Sequence, residues 1–402
     1  MNPAVQSDTY DTDVLIVGAG PTGLALATTL LRGGASALIV DKLEHGQNTS
    51  RAAVVHAHTL EVLADLGITD RMESAGLKLT RFTLRDRDRQ LVSLSFDKLP
   101  SQFSHLLMLP QDVTEGILRD ALAEAGSHVR WGCSLETLTH DESGVTATLV
   151  SASGTETIRA RYVVGADGTN SLVRRTAGIG FSGSSYEDSF VLADVDMEWS
   201  HGRDEVMLFL SPAGLLVVAP LPGGRFRLVA TFDDAPEKPG LADVQALLDA
   251  RGPTLGRARV TAVHWSSRFR LHHRVADQYR SGRMFLVGDA AHAHSPAGGQ
   301  GMNTGLVDSW VLGKLLVDVL AGRKQDACLD QYETLRRPAA LEVLGLAGRL
   351  TAMATVKSAF GRRMRNAFLT FAGRLPAARR RLQLDLSGLS RRAAAEIVEV
   401  RC

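Results

Sequence analysis

Gly18, Gly20 and Gly23 stand in the spacing G-x-G-x-x-G, with Pro21 and Thr22 inside it, and Asp41 follows 18 residues after Gly23. Residues of these types at this spacing suit a pyrophosphate. Gly18 permits a tight turn, Gly20 lets the backbone approach the phosphates, Gly23 allows a helix and strand to pack closely, and the acid receives ribose hydroxyls. The flanking sequence supplies the elements that must hold them. Asp13 to Val17 reads DVLIV, an apolar β-branched run suited to a parallel strand buried on both faces. LALATTLLRGG then reads as a helix closed by Gly33 and Gly34, and ALIV from Ala37 to Val40 as a second strand ending at Asp41. Phosphates would sit at the positive end of that helix, where unpaired N–H groups point outward, and Thr22 can add a hydroxyl donor. The unit predicts a dinucleotide and leaves NAD, NADP and FAD open.

Two later segments narrow the choice. RYVVGADGTN (Arg161 to Asn170) runs a strand into a turn at Asp167, and MFLVGDAAH (Met284 to His292) ends a strand at Gly288-Asp289. PAGGQGMN, from Pro296 to Asn303, brings a glycine-rich backbone to the start of a helix near Met302, whose unpaired N–H groups favour negative charge.

Over roughly residues 10 to 340 these three motifs, in this order, resemble the aromatic-ring hydroxylases, class A flavoprotein monooxygenases similar to para-hydroxybenzoate and phenol hydroxylases. The resemblance implies FAD, with Gly18, Gly20, Pro21, Thr22, Gly23, Asp41 and Lys42 at its ADP end and Leu135 meeting the adenine through its backbone. It implies Arg51 at the pyrophosphate or ring region, Gln111 and the Gly288-Asp289 pair at the ribityl chain, and Pro296, Gly301, Met302 and Asn303 beside the isoalloxazine. Asp167 would help close the cofactor pocket and support access of NADPH or NADH, the transient reductant. With O2 as co-substrate, the implied reaction is hydroxylation of an aromatic, phenolic or polyketide-like molecule through a C4a-hydroperoxyflavin. A phenol gains from a base that ionises its hydroxyl. His56 and His58 in RAAVVHAHTLE are the candidates, with Arg225 or Arg227 as electrostatic helpers. Competing readings are Baeyer–Villiger insertion or epoxidation on the same fold, a colourless prenyl-GTPase-regulator-like protein, and a yellow flavin-binding subunit that does not oxidise NAD(P)H.

The expected fold class is α/β (α+β). A Rossmann-like FAD-binding domain is expected from residues 1–180 and 281–340, with strands near 80–110 joining the substrate sheet. Residues 181–280, with the runs VLADVDMEW, VMLFL, GLLVVAPLP and FRLVATF, are expected to form an inserted, mainly antiparallel sheet. Residues 341–402 read as helical, with a break at Pro338 before them and no thioredoxin-like pattern. Aromatic residues are only 5% of the chain, so an aliphatic pocket is expected, lined by Met207, Phe209 and Leu216.

Composition sets limits on partners. Across 402 residues, 45 Lys+Arg face 44 Asp+Glu, and a net charge of +1 gives no global field toward nucleic acid or membrane, so a small molecule is the expected partner and neither of those is. Cys133, Cys328 and Cys402 form no CxxC pair, which suggests a reducing cytoplasm without disulfide framework or zinc site; His292-x-His294 and His272-His273 lack the partners a metal needs. The uncharged run Val14 to Leu31 follows Asp8, Asp11 and Asp13, the wrong charge for a signal peptide. From Arg362 to Arg392 nine arginines meet one acid, Asp385, a solvated face or a docking surface for an acidic carrier protein. A monomer or homodimer is expected.

Overall fold

The computed structural model describes residues 9–46, 52–232, 235–295, 298–354, 356 and 358–398. DVLIV forms a central strand: Thr12–Val17 pairs in parallel with Ala37–Val40 on one side and Gly154–Gly165 on the other. Met284–Leu286 adds in parallel beyond Gly154–Gly165. The register sets Val17 beside Gly165 and Gly165 beside Leu286, so three strands end level at one edge. That is why three motifs far apart in sequence meet: each is the turn that leaves one of these strand ends. The sheet has seven strands, with Ser134–His140 and Val145–Ser151 off its main path. The uncharged run Val14 to Leu31 is thus a strand, a turn and the helix Pro21–Arg32. Among the described residues no helix is long and apolar enough to cross a membrane.

A second sheet of eight strands takes most of its strands from residues 181–276. Arg81–Asp86 and Arg89–Ser95 extend it, the first pairing in parallel with Glu205–Ser211 while the other neighbours run antiparallel. Helix Leu241–Arg251 covers one face, where Val244 and Leu248 are fully buried with Met207, Phe209 and Leu216. The other face looks toward the strand ends of the first sheet. The C-terminal part is helical: Gln331–Ala354, Ala359–Ala372 and Pro376–Leu386. The break expected at Pro338 does not occur; the first of these helices runs through it and forgoes one hydrogen bond. Cys133 is free and buried.

Candidate active site

Each cradle glycine has its own steric reason. Gly18 adopts φ +108°, and a Cβ there would lie 2.3 Å from Ala166 O. A Cβ on Gly23 would lie 2.0 Å from Gly18 O. At Gly20 a Cβ would meet nothing within 4 Å; with Pro21 and Thr22, Gly20 lines a cavity of about 750 Å³. The first helical bond back is Leu24 N–H to Gly20 O at 3.0 Å, so the N–H groups of the turn before it are open toward an anion. Asp41 braces this turn, its Oδ2 accepting from Ala19 N–H at 2.7 Å and its Oδ1 from Leu43 N–H at 2.9 Å. Each carboxylate oxygen keeps a second lone pair for a hydroxyl. Lys42 is exposed. Leu135 does not line the cavity, but Cys133 N–H bonds Asp41 O at 2.9 Å, which lays the start of its strand along the Asp41 end. Arg51 and Pro296 lie outside the described residues.

The cavity continues past Gln111 and the exposed Asp289 to Gly298, Gly299, Gly301 and Met302. In helix Gly301–Leu320, Thr304 N–H is the first to bond back, to Gln300 O at 2.9 Å. The N–H groups of Gly301, Met302 and Asn303 therefore form an open first turn. The Asn303 side chain is a different matter. It is 4% exposed, its Oδ1 accepts from His56 N–H at 2.8 Å, and its Nδ2 donates to Val54 O at 2.9 Å and Gly299 O at 2.8 Å. It braces the cavity wall and has no donor left for a ring. Asp167 is also structural: its Oδ2 accepts from Leu172 N–H at 2.7 Å and Val173 N–H at 3.3 Å, tying down the start of helix Leu172–Thr176. Its neighbours Ala166, Gly168 and Thr169 line the cavity instead.

Of the proposed bases, His56 is at the cavity and His58 is not. His56 is 2% exposed, with Nδ1 3.2 Å from Gln300 Nε2. Arg391 donates to Gln300 Oε1 at 2.8 Å, which orients the amide so that its NH2 faces the imidazole. Nδ1 is then the acceptor and Nε2 carries the proton. Burial, aided by the Arg391 charge, lowers the His56 pKa to about 3. This imidazole is a neutral N–H donor and has no free lone pair with which to deprotonate a phenol. His58 points to Glu61 at 3.4 Å and lines no part of the cavity. Arg225 is exposed and does not line the cavity, whereas Arg227 is buried, forks onto Asp194 at 2.7 and 2.8 Å, and reaches Ala52 O at 2.8 Å. It lines the cavity and holds its wall in place.

The expected pocket residues Met207, Phe209 and Leu216 are on the wrong face of the sheet. Their neighbours Val206, Leu208, Leu215 and Val217 line the cavity, with Phe190 and Phe269. Side chains alternate along a strand, so a shift of one residue exchanges the faces. Leu216→Ala is expected to cost about 2–5 kcal/mol of stability by leaving a core hole, with little change in ligand affinity. Leu215→Phe is expected to change substrate KM with little loss of stability. Thermal unfolding and steady-state kinetics on the pair check the assignment.

A buried ionic cluster, which the sequence reading missed, lies behind Gly288. Asp308, fully buried in helix Gly301–Leu320, has its carboxylate 2.6 Å from His292 Nε2 and 2.7 Å from Arg336 Nε. Its Oδ2 also lies 3.4 Å from Gly288 N. Burial alone would raise this carboxyl; the His292 and Arg336 charges and hydrogen bonds overcome that and hold it below its ordinary value. The available signal was an acid inside the apolar helical stretch GLVDSWVLGKLL.

The family described as FAD binding domain matches residues 11–347. The chain belongs to that family. Among its relatives, the pentachlorophenol 4-monooxygenase of Sphingobium chlorophenolicum is 34% identical over 340 residues, 83% of this chain and 63% of the relative. The rifampicin monooxygenase of Streptomyces venezuelae is 35% identical over 342 residues, 83% of this chain and 69% of the relative. The solved anhydrotetracycline hydroxylase of Streptomyces rimosus superposes with a TM-score of 0.77 at 34% identity, covering 94% of this chain and 76% of that one. The chain thus spans about 63% of the length of the first curated relatives it matches. As in this family of FAD binding domains, the residues present fit FAD. The open side of Gly20, the exposed Asp289 in the cavity and the open first turn at Gly301 and Met302 lie along one channel.

Proposed function

We propose that the protein is an NAD(P)H-dependent, FAD-dependent monooxygenase that hydroxylates an aromatic, phenolic or polyketide-like substrate. The carrying observation is the continuity of the cavity, which runs from the Gly20–Thr22 cradle past Gly298–Met302 to the apolar wall of the eight-stranded sheet. Bound there, FAD supplies the electron relay between a reduced pyridine nucleotide and dioxygen that ring hydroxylation requires. The named monooxygenase activities of the relatives support this reading.

The chain's own residues do the positioning. Gly20, Pro21, Thr22 and Asp41 hold the ADP end, and Gln111 and Asp289 the ribityl chain. N–H groups of Gly301 to Asn303 and the helix dipole stabilise negative charge on the ring beside them. Leu208, Leu215 and Val217 hold an apolar ring and keep water out. His56 Nε2–H donates to the substrate's phenolic oxygen and stabilises its anionic form.

The test is to purify the protein, record the flavin spectrum, and follow NAD(P)H consumption against phenols and polyketide-like aromatics under labelled dioxygen. The expected result is a yellow protein whose NAD(P)H consumption rises with an aromatic that gains one labelled hydroxyl. Label found in an ester or epoxide would move the reaction to oxygen insertion, and a lack of stimulation by every aromatic would count against the proposal. His56→Ala is expected to lower kcat/KM about 10- to 100-fold, the loss of a hydrogen bond to a charged oxygen. With a pKa of about 3, His56 stays neutral across pH 5–8. Its titration therefore places no step in the kcat/KM profile there, and a step that disappears in His56→Ala would contradict the donor role.

A further inference from the structure

Helix Ala359–Ala372 turns its polar side inward and its apolar side out. Its inner face carries Arg365, which donates to Leu210 O and Met353 O at 2.8 Å each, together with Asn366 and Leu369, all three buried. Its outer face carries Phe360, Met364, Phe368 and Phe371, exposed by 75%, 56%, 65% and 63%. Spacings of four, four and three residues place these side chains in one stripe. Leu375, 43% exposed, continues the apolar chain just past the helix. Every large exposed phenylalanine among the described residues belongs to this stripe. Scattered exposed apolar side chains need no explanation, but a contiguous ridge of phenylalanines does.

The charges beside the ridge indicate what covers it. Arg363, Arg374, Arg379, Arg380 and Arg381 are all exposed, and Asp385 is the only acid between residues 359 and 387. A second copy of the chain is a poor occupant, because it would bring a second set of the same arginines to the contact, and this segment holds no acid but Asp385 to meet them. The net charge of +1 conceals this patch by averaging it with acids elsewhere. A ridge that projects, as this one does, needs a partner that yields around it. Phe and Met on one face with arginines alongside are the composition of a helix lying in the headgroup region of an anionic bilayer.

We propose that the Ala359–Ala372 helix and the arginines of the following helix form a docking surface for anionic lipid, on which the protein rests without crossing the bilayer. This surface is separate from the cavity, so its failure would leave the hydroxylase reading standing.

The test is sedimentation of the protein with phosphatidylglycerol vesicles and with phosphatidylcholine vesicles. The protein is expected to pellet with the former and stay in solution with the latter, and to be released at about 0.5 M NaCl, where screening is strong. R379E/R380E/R381E is expected to lower the partition coefficient on the order of a hundredfold. Phe368→Ser/Phe371→Ser is expected to lower it at least tenfold with an unchanged unfolding temperature, since both side chains are already exposed. Equal binding to both vesicles would overturn the proposal. So would absence of binding to either, with a dimer in light scattering that Phe368→Glu splits, or capture of a purified acidic carrier protein in place of vesicles.

Discussion

Gly20→Ala is expected to yield a folded protein that has lost FAD, and Gly23→Ala a protein that has lost stability. The two glycines sit in one turn, yet the space around them differs. A methyl on Gly20 meets no protein atom within 4 Å, so the fold has no reason to resist it. That same methyl enters the lane along which a pyrophosphate must approach the backbone N–H groups. Hydrogen bonds to a charged group contribute about 1.5–3 kcal/mol each, so losing one or two weakens FAD binding on the order of 100-fold or more. A methyl on Gly23 would lie 2.0 Å from Gly18 O, a backbone atom that cannot swing aside. Separating helix from strand there costs about 1–3 kcal/mol or more. Thermal unfolding of the apoprotein and a flavin fluorescence titration distinguish the two. Unchanged FAD affinity in Gly20→Ala would remove the cradle from the account.

The cradle was legible because its constraints are local. Turn, helix start and acid lie within thirty residues, and each glycine is demanded by an atom of the same small unit or of the adjacent strand. The meeting of the three motifs was legible for a related reason: each follows a buried apolar strand, and parallel strands in one sheet end at one edge. The pocket wall was not legible in the same way. VMLFL and GLLVV are apolar at consecutive positions because both faces of the sheet are covered, one by the helix Leu241–Arg251 and the other by the cavity. With no polar residue to mark an outer face, the alternation that distinguishes Met207 from Leu208 leaves no trace in composition. Asn303 illustrates a further limit. Its position at the helix start was right for a ring contact, but its side chain is claimed by Val54, His56 and Gly299, partners up to 249 residues away. The arginine-rich segment also divides in a way no charge count shows: Arg365 and Arg391 serve as internal struts, while Arg379 to Arg381 face outward.

Asp308→Asn is expected to destabilise the fold by about 3–5 kcal/mol, because it leaves Arg336 buried without its counter-charge. The effect should also reach the flavin site. Asp308 lies 3.4 Å from Gly288 N, and Gly288 opens the turn that presents Asp289 to the cavity. The variant is therefore expected to hold FAD more weakly as well as to melt earlier. Conversion of both Asp308 and Arg336 to apolar residues of similar volume would recover much of the stability, since a buried ion pair contributes little net energy against a well-packed apolar replacement. It would not restore the Asp308 contact to Gly288 N, so FAD affinity should stay low. The pH dependence follows from the direction of the Asp308 shift. Its pKa is lowered by folding from an ordinary 3.8, so the unfolded chain binds the proton more readily. The stabilisation is fully present above that ordinary value and is lost as pH falls through the folded-state pKa. Unfolding curves of the parent protein and of Asp308→Asn should accordingly differ most above pH 5 and converge in strong acid. Parallel curves at all pH values would show that the carboxylate charge is not what holds this cluster together.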